Sequence, residues 1–246
     1  MTDLKPIIFA DLDDTLFQTV RKMSEPPDEA RLASCATNGS HSYMTLSQAA
    51  TVAWLLETTR LIPTTARSSE VLKRTTIGFC DYKICSNGGA IILPTGGHDP
   101  DWATHVANIS QQHSAAFEGL QAAVSDLVSN GLVRSWLVYE AETPVYFLAK
   151  ISAGSPEDAL HAAQAACEQA VGSDLVFHRN ARNMSLTPKG LTKIDAVNEL
   201  IKRLPNTDKR PIWGMGDSIS DLPFMRSCQM MVIPSDSQIS ETHLQG

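Results

Sequence analysis

The sequence holds no apolar run near the roughly 20 residues that a membrane-spanning helix needs. It has no block of basic residues either. Its 20 Lys and Arg stand against 27 Asp and Glu, and the formal charge of −7 argues against a nucleic-acid or anionic-membrane partner. The five cysteines, Cys35, Cys80, Cys85, Cys167 and Cys228, are odd in number and scattered, with no C-x-x-C pair, so they read as reduced thiols in a cytoplasmic protein. Met1 to Pro6 is polar and runs straight into a strand-like segment, which is not the pattern of a secretory signal. There is no internal repeat and no low-complexity tract. What remains is an ordinary globular composition of 246 residues, 43% apolar and 19% charged, enough for one large domain or two smaller ones.

The most informative segment present is Ile7-Ile8-Phe9-Ala10-Asp11-Leu12-Asp13-Asp14-Thr15-Leu16. A short apolar run that ends in a polar turn reads as a buried strand. In an open α/β sheet the chemistry sits just past the carboxyl ends of such strands. Asp11 and Asp13 are two apart, so a continuing strand points both to one face. Crowded carboxylates repel unless a cation or a shared proton relieves them. A hard divalent cation such as Mg²⁺, held by a few oxygens and several waters, is the natural relief.

Along the chain, Leu32–Thr37 and Ser40–Met44 flank Asn38-Gly39, a signal for a tight hairpin. A helix is expected over Ser47–Thr59, with Ala50, Val52, Ala53, Leu55 and Leu56 on its buried side. Leu61–Thr64 and Tyr82–Cys85 read as further strands, and their alternation with helices implies parallel βαβ units. The pattern then changes to a helical stretch from Trp102 to about Asn130, strands at Leu132–Glu140 and Thr143–Ile151, a helix over Pro156–Val171, and strands at Leu175–His178 and Asn183–Leu186. That is an α+β unit of its own, bounded by the joints Pro94-Thr95-Gly96-Gly97 and Pro188-Lys189-Gly190. From Leu191 the βα pattern resumes, with strands at Pro211–Met215 and Met230–Ile233. The expected fold is thus α/β, a Rossmann-like parallel-sheet core over 1–94 and 187–246, with an inserted α+β domain over 95–186.

Three more segments converge on Asp11 if the sheet is parallel. Thr65 follows the second strand, Lys193 opens the returning helix, and Ile212–Met215 runs into Gly216-Asp217-Ser218-Ile219-Ser220-Asp221. Together they place carboxylates, a hydroxyl and an ammonium at one sheet edge.

These segments, with Asp11-Leu12-Asp13-Asp14-Thr15 and Thr65-Ala66-Arg67-Ser68, resemble in order the four motifs of the haloacid dehalogenase superfamily. Ser86-Asn87-Gly88-Gly89-Ala90 resembles the segment before the large α+β cap in one branch. That branch includes Cof-type, sucrose-phosphate, trehalose-phosphate and mannosyl-3-phosphoglycerate phosphatases and eukaryotic phosphomannomutases. The resemblance implies a phosphoric monoester hydrolase in which Asp11 is the nucleophile, forming an aspartyl-phosphate, and Asp13 the general acid and base. Thr65 would donate to a phosphoryl oxygen and Lys193 would neutralise charge, with Lys189 as a rival for that place. Mg²⁺ would be held by Asp11, Asp217 and the carbonyl of Asp13, with Asp221 supporting it. The chain departs from the family at Asp14, where many relatives carry glycine, and at Ser220, where Cof-type members carry asparagine.

The inserted domain would then be a cap that sets specificity. Lys150, Arg179, Asn180, Arg182 and Asn183 are its candidate substrate contacts, and Arg67 and Asn87 are candidates on the core side. The Asn38-Gly39 hairpin is either a second lid or a surface excursion. The expected substrate is a small phosphorylated metabolite, a sugar phosphate first. Alternatives are a phosphotransferase or mutase using the same intermediate, and a non-catalytic protein that binds phosphometabolites. The sequence leaves the oligomeric state open.

Overall fold

The computed structural model describes residues 4–24, 26–179 and 182–243. The chain divides into two units, Met1–Asp99 with Lys193–Gly246, and Pro100–Thr192. The first opens with strands β1 (Ile7–Ala10), β2 (Gln18–Thr19), β3 (Leu32–Ser34) and β4 (Ser42–Tyr43). Helix α1 (Leu46–Thr58), β5 (Arg60–Pro63), α2 (Ser69–Leu72), β6 (Lys83–Cys85) and β7 (Ala90–Ile92) follow. The second unit contains α3 (Pro100–Gln112), α4 (Ser114–Ala123), α5 (Ser125–Ser129), β8 (Val133–Glu140), β9 (Thr143–Ile151), α6 (Asp158–Ala170), β10 (Leu175–Arg179) and β11 (Asn183–Pro188). The chain returns to the first unit with α7 (Lys193–Arg203), β12 (Ile212–Met215), α8 (Leu222–Arg226), β13 (Met230–Val232) and α9 (Gln238–His243).

The first unit is built on a four-stranded sheet in the order β13-β12-β1-β5, every pair parallel. All four residues of β1 are fully buried, which is why the strand reads as an unbroken apolar run rather than an alternation. β6 and β7 form an antiparallel pair, and β6 joins the main sheet edge through a single parallel bridge, Thr64 to Ile84. This is the Rossmann-like α/β arrangement expected from the sequence.

Helix α1 starts at a reciprocal cap, in which Thr45 Oγ1 accepts from the Gln48 amide and Gln48 Oε1 accepts from the Thr45 amide. Its buried stripe is narrower than expected. Val52 and Leu55 are buried and Leu56 packs against the core, whereas Ala50 and Ala53 are exposed. Small alanines carry little apolar area to bury, so the branched residues decide which face turns inward.

The hairpin around Asn38-Gly39 is present, but it is not tight. β3 and β4 pair across the loop 35–41, where Gly39 takes a φ of +79°, and β2 adds a third strand on the far side of β4. The base of this small sheet is stitched to the chain after α2, since the Cys35 amide donates to the Arg74 carbonyl and the Thr76 amide to that of Ala33.

The second unit is an antiparallel sheet in the order β10-β11-β9-β8. Phe147, Ala149, Met184 and Leu186 point from β9 and β11 into one core with Phe117 and Leu120 of α4 and Leu160, Ala163 and Cys167 of α6. Because side chains alternate faces along a strand, the neighbouring register positions Arg134, Lys150 and Asn183 share the opposite face, as do Trp136, Leu148, Ser185 and His178. The helical stretch expected over 102–130 is three successive helices, broken at His113 and Val124. At the first break the Ile109 carbonyl is shared, lying 3.2 Å from the His113 amide and 2.9 Å from His113 Nδ1. Among the described residues no helix is long and apolar enough to cross a membrane.

Candidate active site

Parallel pairing in register carries three loops to one sheet edge. Ala10 faces Met215 and Pro63 across the sheet, so Asp11, Thr65 and Asp217 each lie one or two residues past a strand end. The Asp11 amide continues the ladder with a bond to the Met215 carbonyl at 2.8 Å, and the Thr64 amide reaches the Ala10 carbonyl at 2.7 Å. Lys193, the first residue of α7, completes the group. Its buried Nζ donates to Asp11 Oδ1 and to Asp221 Oδ1, both at 2.7 Å. One oxygen from each of Asp11, Asp217 and Asp221 lies within 4.8 Å of the others.

Asp221 is fully buried and spoken for on both oxygens, since its Oδ2 accepts from the Ser218 amide at 3.1 Å and the Ser218 hydroxyl at 2.7 Å. Gly216 is required by that packing, because a Cβ there would stand 2.6 Å from Asp221 Cβ and 2.9 Å from Oδ2. Ser220 has its hydroxyl 2.7 Å from that of Ser218. Asp217 accepts from the Thr15 hydroxyl at 3.3 Å. Asp14 sits at φ +63°, the left-handed region that glycine enters without strain. Its carboxylate is 2.7 Å from Lys22 Nζ.

Thr65 is fully buried, with its Oγ1 accepting from the Arg67 amide at 3.1 Å, which leaves the hydroxyl proton for another partner. Asn87 is half-buried at φ +57°, and its amide donates to the Thr65 carbonyl at 3.0 Å. Asp13 and Arg67 meet in a two-pronged ion pair. Arg67 Nε donates to Asp13 Oδ2 at 2.7 Å and Nη2 to Oδ1 at 2.6 Å. Lys189, the rival to Lys193, is exposed in the second unit, its amide bonded to the Asp174 carbonyl.

No protein-family model matches this sequence, and no curated protein matches it. Solved structures do. A Synechocystis sucrose-phosphatase, determined with sucrose and phosphate, superposes over 99% of this chain and 87% of its own, with a TM-score of 0.62 at 18% identity. The C-terminal domain of a trehalose-6-phosphate phosphatase from C. albicans matches 91% of this chain and 74% of its own, with a TM-score of 0.60 at 12% identity. A haloacid dehalogenase-like hydrolase from B. subtilis matches 97% and 92%, with a TM-score of 0.53 at 15% identity. This chain has the haloacid dehalogenase fold. At such identities the kinship is one of fold, and the chemistry has to come from the residues.

Carboxylates dominate the site, with the Lys193 ammonium set between Asp11 and Asp221. Burial pushes the Asp11 carboxyl well above the usual range, and Asp221 and Asp13 add to the rise while Lys193 opposes it. Asp217 is pushed up to about 6, by burial first and then by Asp221 and Asp14. Lys193 is buried too, yet its two carboxylate partners more than compensate and hold its ammonium charged. The donor set is hard oxygen, few in number and deficient in positive charge, which fits a Mg²⁺ ion that keeps several waters.

In the second unit the expected contacts separate. Arg179 lies on the helix-covered face, its Nη1 2.9 Å from Gln164 Oε1 and 3.0 Å from His161 Nδ1, both on α6. Lys150 and Asn183 are adjacent on the other face, with Arg134 in the same row and Lys150 Nζ 5.9 Å from the centre of the Trp136 ring. Burial and the Arg134 charge lower the Lys150 pKa. Arg182 is exposed, its carbonyl accepting from the Ile151 amide, and Asn180 lies outside the described residues. Sequence reasoning missed Ser218, Lys22 and Arg134. Ser218 and Asp221 carry a legible sign, the S-x-x-D spacing of a capping box.

Proposed function

We propose that the protein is a Mg²⁺-dependent phosphatase of a small phosphorylated metabolite, with a sugar phosphate as the substrate class. One observation carries this reading: the buried Lys193 ammonium bridges Asp11 and Asp221, with Asp217 alongside. An aspartate cannot approach a phosphate dianion unless positive charge offsets their repulsion. Lys193 supplies part of that charge from within the fold. Asp11, Asp217 and the Asp13 carbonyl would hold the metal, which when bound shields the phosphoryl oxygens.

Phosphoryl transfer asks the protein mainly for positioning and charge compensation. Asp11 attacks phosphorus and forms an aspartyl-phosphate as the bond to the alkoxy oxygen breaks. Asp13, after exchanging one of its two contacts with Arg67 for a proton, gives that proton to the departing oxygen. In the second half, Asp13 takes a proton from the water that attacks the acyl-phosphate, releasing inorganic phosphate and restoring Asp11. The Thr65 hydroxyl donates to a phosphoryl oxygen, and Lys193 stays protonated throughout.

The second unit is the proposed seat of specificity. Its Arg134–Lys150–Asn183 row offers cationic and amide donors beside the Trp136 ring, a surface suited to hydroxylated or anionic groups. The sucrose-phosphatase and trehalose-6-phosphate phosphatase that share the fold support the sugar-phosphate class. A cytoplasmic setting accords with five cysteines that form no disulfide.

The test is release of inorganic phosphate from p-nitrophenyl phosphate and a panel of sugar phosphates. Turnover should vanish in EDTA, return with Mg²⁺ and disappear in Asp11→Asn. Full activity in metal-free protein or in Asp11→Asn would reject the reading. Parallel runs with acceptor sugars separate hydrolysis from transfer.

A further inference from the structure

The first unit carries a groove whose lining shares no residue with the group around Asp11. It lies between α2 with the chain that follows it and the β6–β7 hairpin, and it encloses about 320 Å³. That volume is at the small end of ligand pockets. Its apolar lining is Leu72, Ile77, Phe79 and Ile92. All four belong to the main core, each only 5–9% exposed, and the core reaches the surface here.

Two lysines, Lys73 and Lys83, complete the lining, and they are not equivalent. Lys73 Nζ is 2.5 Å from Glu70 Oε1, so a neighbouring carboxylate offsets its charge. Lys83 Nζ donates instead to the Asp81 carbonyl at 3.1 Å, a neutral acceptor. The Asp81 carboxylate is engaged elsewhere. Arg60 donates to its two oxygens at 2.6 and 2.9 Å, and the Tyr82 amide donates to Oδ1 at 2.8 Å. Lys83 therefore brings a positive charge to an apolar groove, and among the described residues no carboxylate meets it.

We propose that this groove binds a small carboxylate with an apolar body. Lys83 takes the carboxylate, and Leu72, Ile77, Phe79 and Ile92 take the apolar part. An ammonium is a point charge that suits an anionic oxygen without the planar match an arginine requires. One uncompensated positive charge matches a monoanion, whereas a dianion would keep half its charge unmet in an apolar setting beside Glu70. Burial of the apolar body against the four core side chains supplies the rest of the affinity. The proposal stands apart from the phosphatase reading.

An occupant would join two walls that differ in what they hold. The chain after α2 anchors the small hairpin sheet, through the Ser34–Thr75 bridge and the bonds of Arg74 and Thr76 to Cys35 and Ala33. β6 leads into Ser86 and Asn87, whose amides donate to the Arg67 and Thr65 carbonyls. A ligand that bridges the walls of the folded chain alone should raise its melting temperature.

The experiment is NMR titration of the ¹⁵N-labelled protein with phenylacetate, with isovalerate and with phenylacetamide, which keeps the shape of phenylacetate and lacks its charge. At least one of the two carboxylates should bind with a Kd on the order of 1 mM. Amide shifts should centre on residues 72–79, 83 and 92. Phenylacetamide should bind about tenfold more weakly than phenylacetate, and Lys83→Gln should weaken the carboxylates about tenfold while leaving phenylacetamide unchanged. Inorganic phosphate at 10 mM should displace neither carboxylate.

No binding of either carboxylate at 10 mM would overturn the proposal. Shifts centred on other residues, displacement by phosphate, or equal affinity for acid and amide would overturn it as well. An unchanged carboxylate affinity in Lys83→Gln would remove Lys83 from its role and refute the assignment. If Lys83→Gln folds poorly, the shift map and the acid-against-amide comparison, which need no variant, decide the question.

Discussion

Replacing Lys193 by methionine keeps an unbranched apolar stem and removes the ammonium, with its charge and its place 5.7 Å from the centre of the Phe224 ring. The Lys193 side chain is 8% exposed, and its ammonium lies 2.7 Å from an oxygen of both Asp11 and Asp221, whose side chains are 10% and 0% exposed. At an effective dielectric of about 20, each contact at that distance is worth about 6 kcal/mol of gross attraction. Several kcal/mol of desolvation per buried ion offset most of it. Removing one partner discards the attraction and leaves the desolvation in place, so Lys193→Met should cost about 3–5 kcal/mol. For a chain of this size that lowers the melting temperature by about 10 °C.

The sign of the pH dependence follows from Asp11, whose folded pKa stands above its ordinary value. Such a carboxyl destabilises the fold when ionised, and the fold recovers as pH falls and the group takes up a proton. Without Lys193, which is the lowering influence on Asp11, the effect grows. Thermal melts of wild type and variant at pH 7.5 and pH 5 should show the deficit shrinking in acid. Millimolar Mg²⁺ should raise the variant's melting temperature by mass action. A deficit under about 1 kcal/mol at pH 7.5, or one that is the same at pH 5, would refute the electrostatic account of the cluster.

Three further outcomes are expected. Gly216→Ala forces a Cβ to 2.6 Å from Asp221, so it should destabilise by about 1–3 kcal/mol and abolish turnover, read by melts and phosphate release. Asp217, pushed up to about 6, must lose its proton to hold a cation, so titration calorimetry should find Mg²⁺ binding about tenfold weaker at pH 5 than at pH 7; a flat profile would exclude Asp217 from the metal site. Lys150→Ala should raise KM for sugar phosphates and leave that for p-nitrophenyl phosphate unchanged. Arg179→Ala, whose guanidinium is tied to α6, should alter neither KM and should lower the melting temperature.

Much of this protein was legible in its sequence because the signals were local. The apolar run before Asp11 reads as a buried strand, and its abrupt end places the carboxylates at a strand end. An α+β stretch interrupts the βα units along the sequence, and in the structure the second unit spans Pro100–Thr192. The order of Asp11, Thr65, Lys193 and Asp217 along the chain, together with strand polarity, indicated which of them would meet.

Other features were decided only by packing between distant segments. Nothing near Arg67 in sequence marks its partners, because Asp13 and Ser34 are 54 and 33 residues away and reach it across different loops. Arg179 and Lys150 look alike as basic residues at strand ends. Register sends one to the helix-covered face and the other to the open one, and a shift of one residue would exchange them. Gly216 reads as a turn glycine in sequence, yet its necessity lies in the side chain of Asp221 pressed against it. Local pattern specifies which residues face a core and where strands end, since those depend on periodicity alone. Which charged groups pair, and in which direction each points, depends on distances between segments that only the folded chain sets.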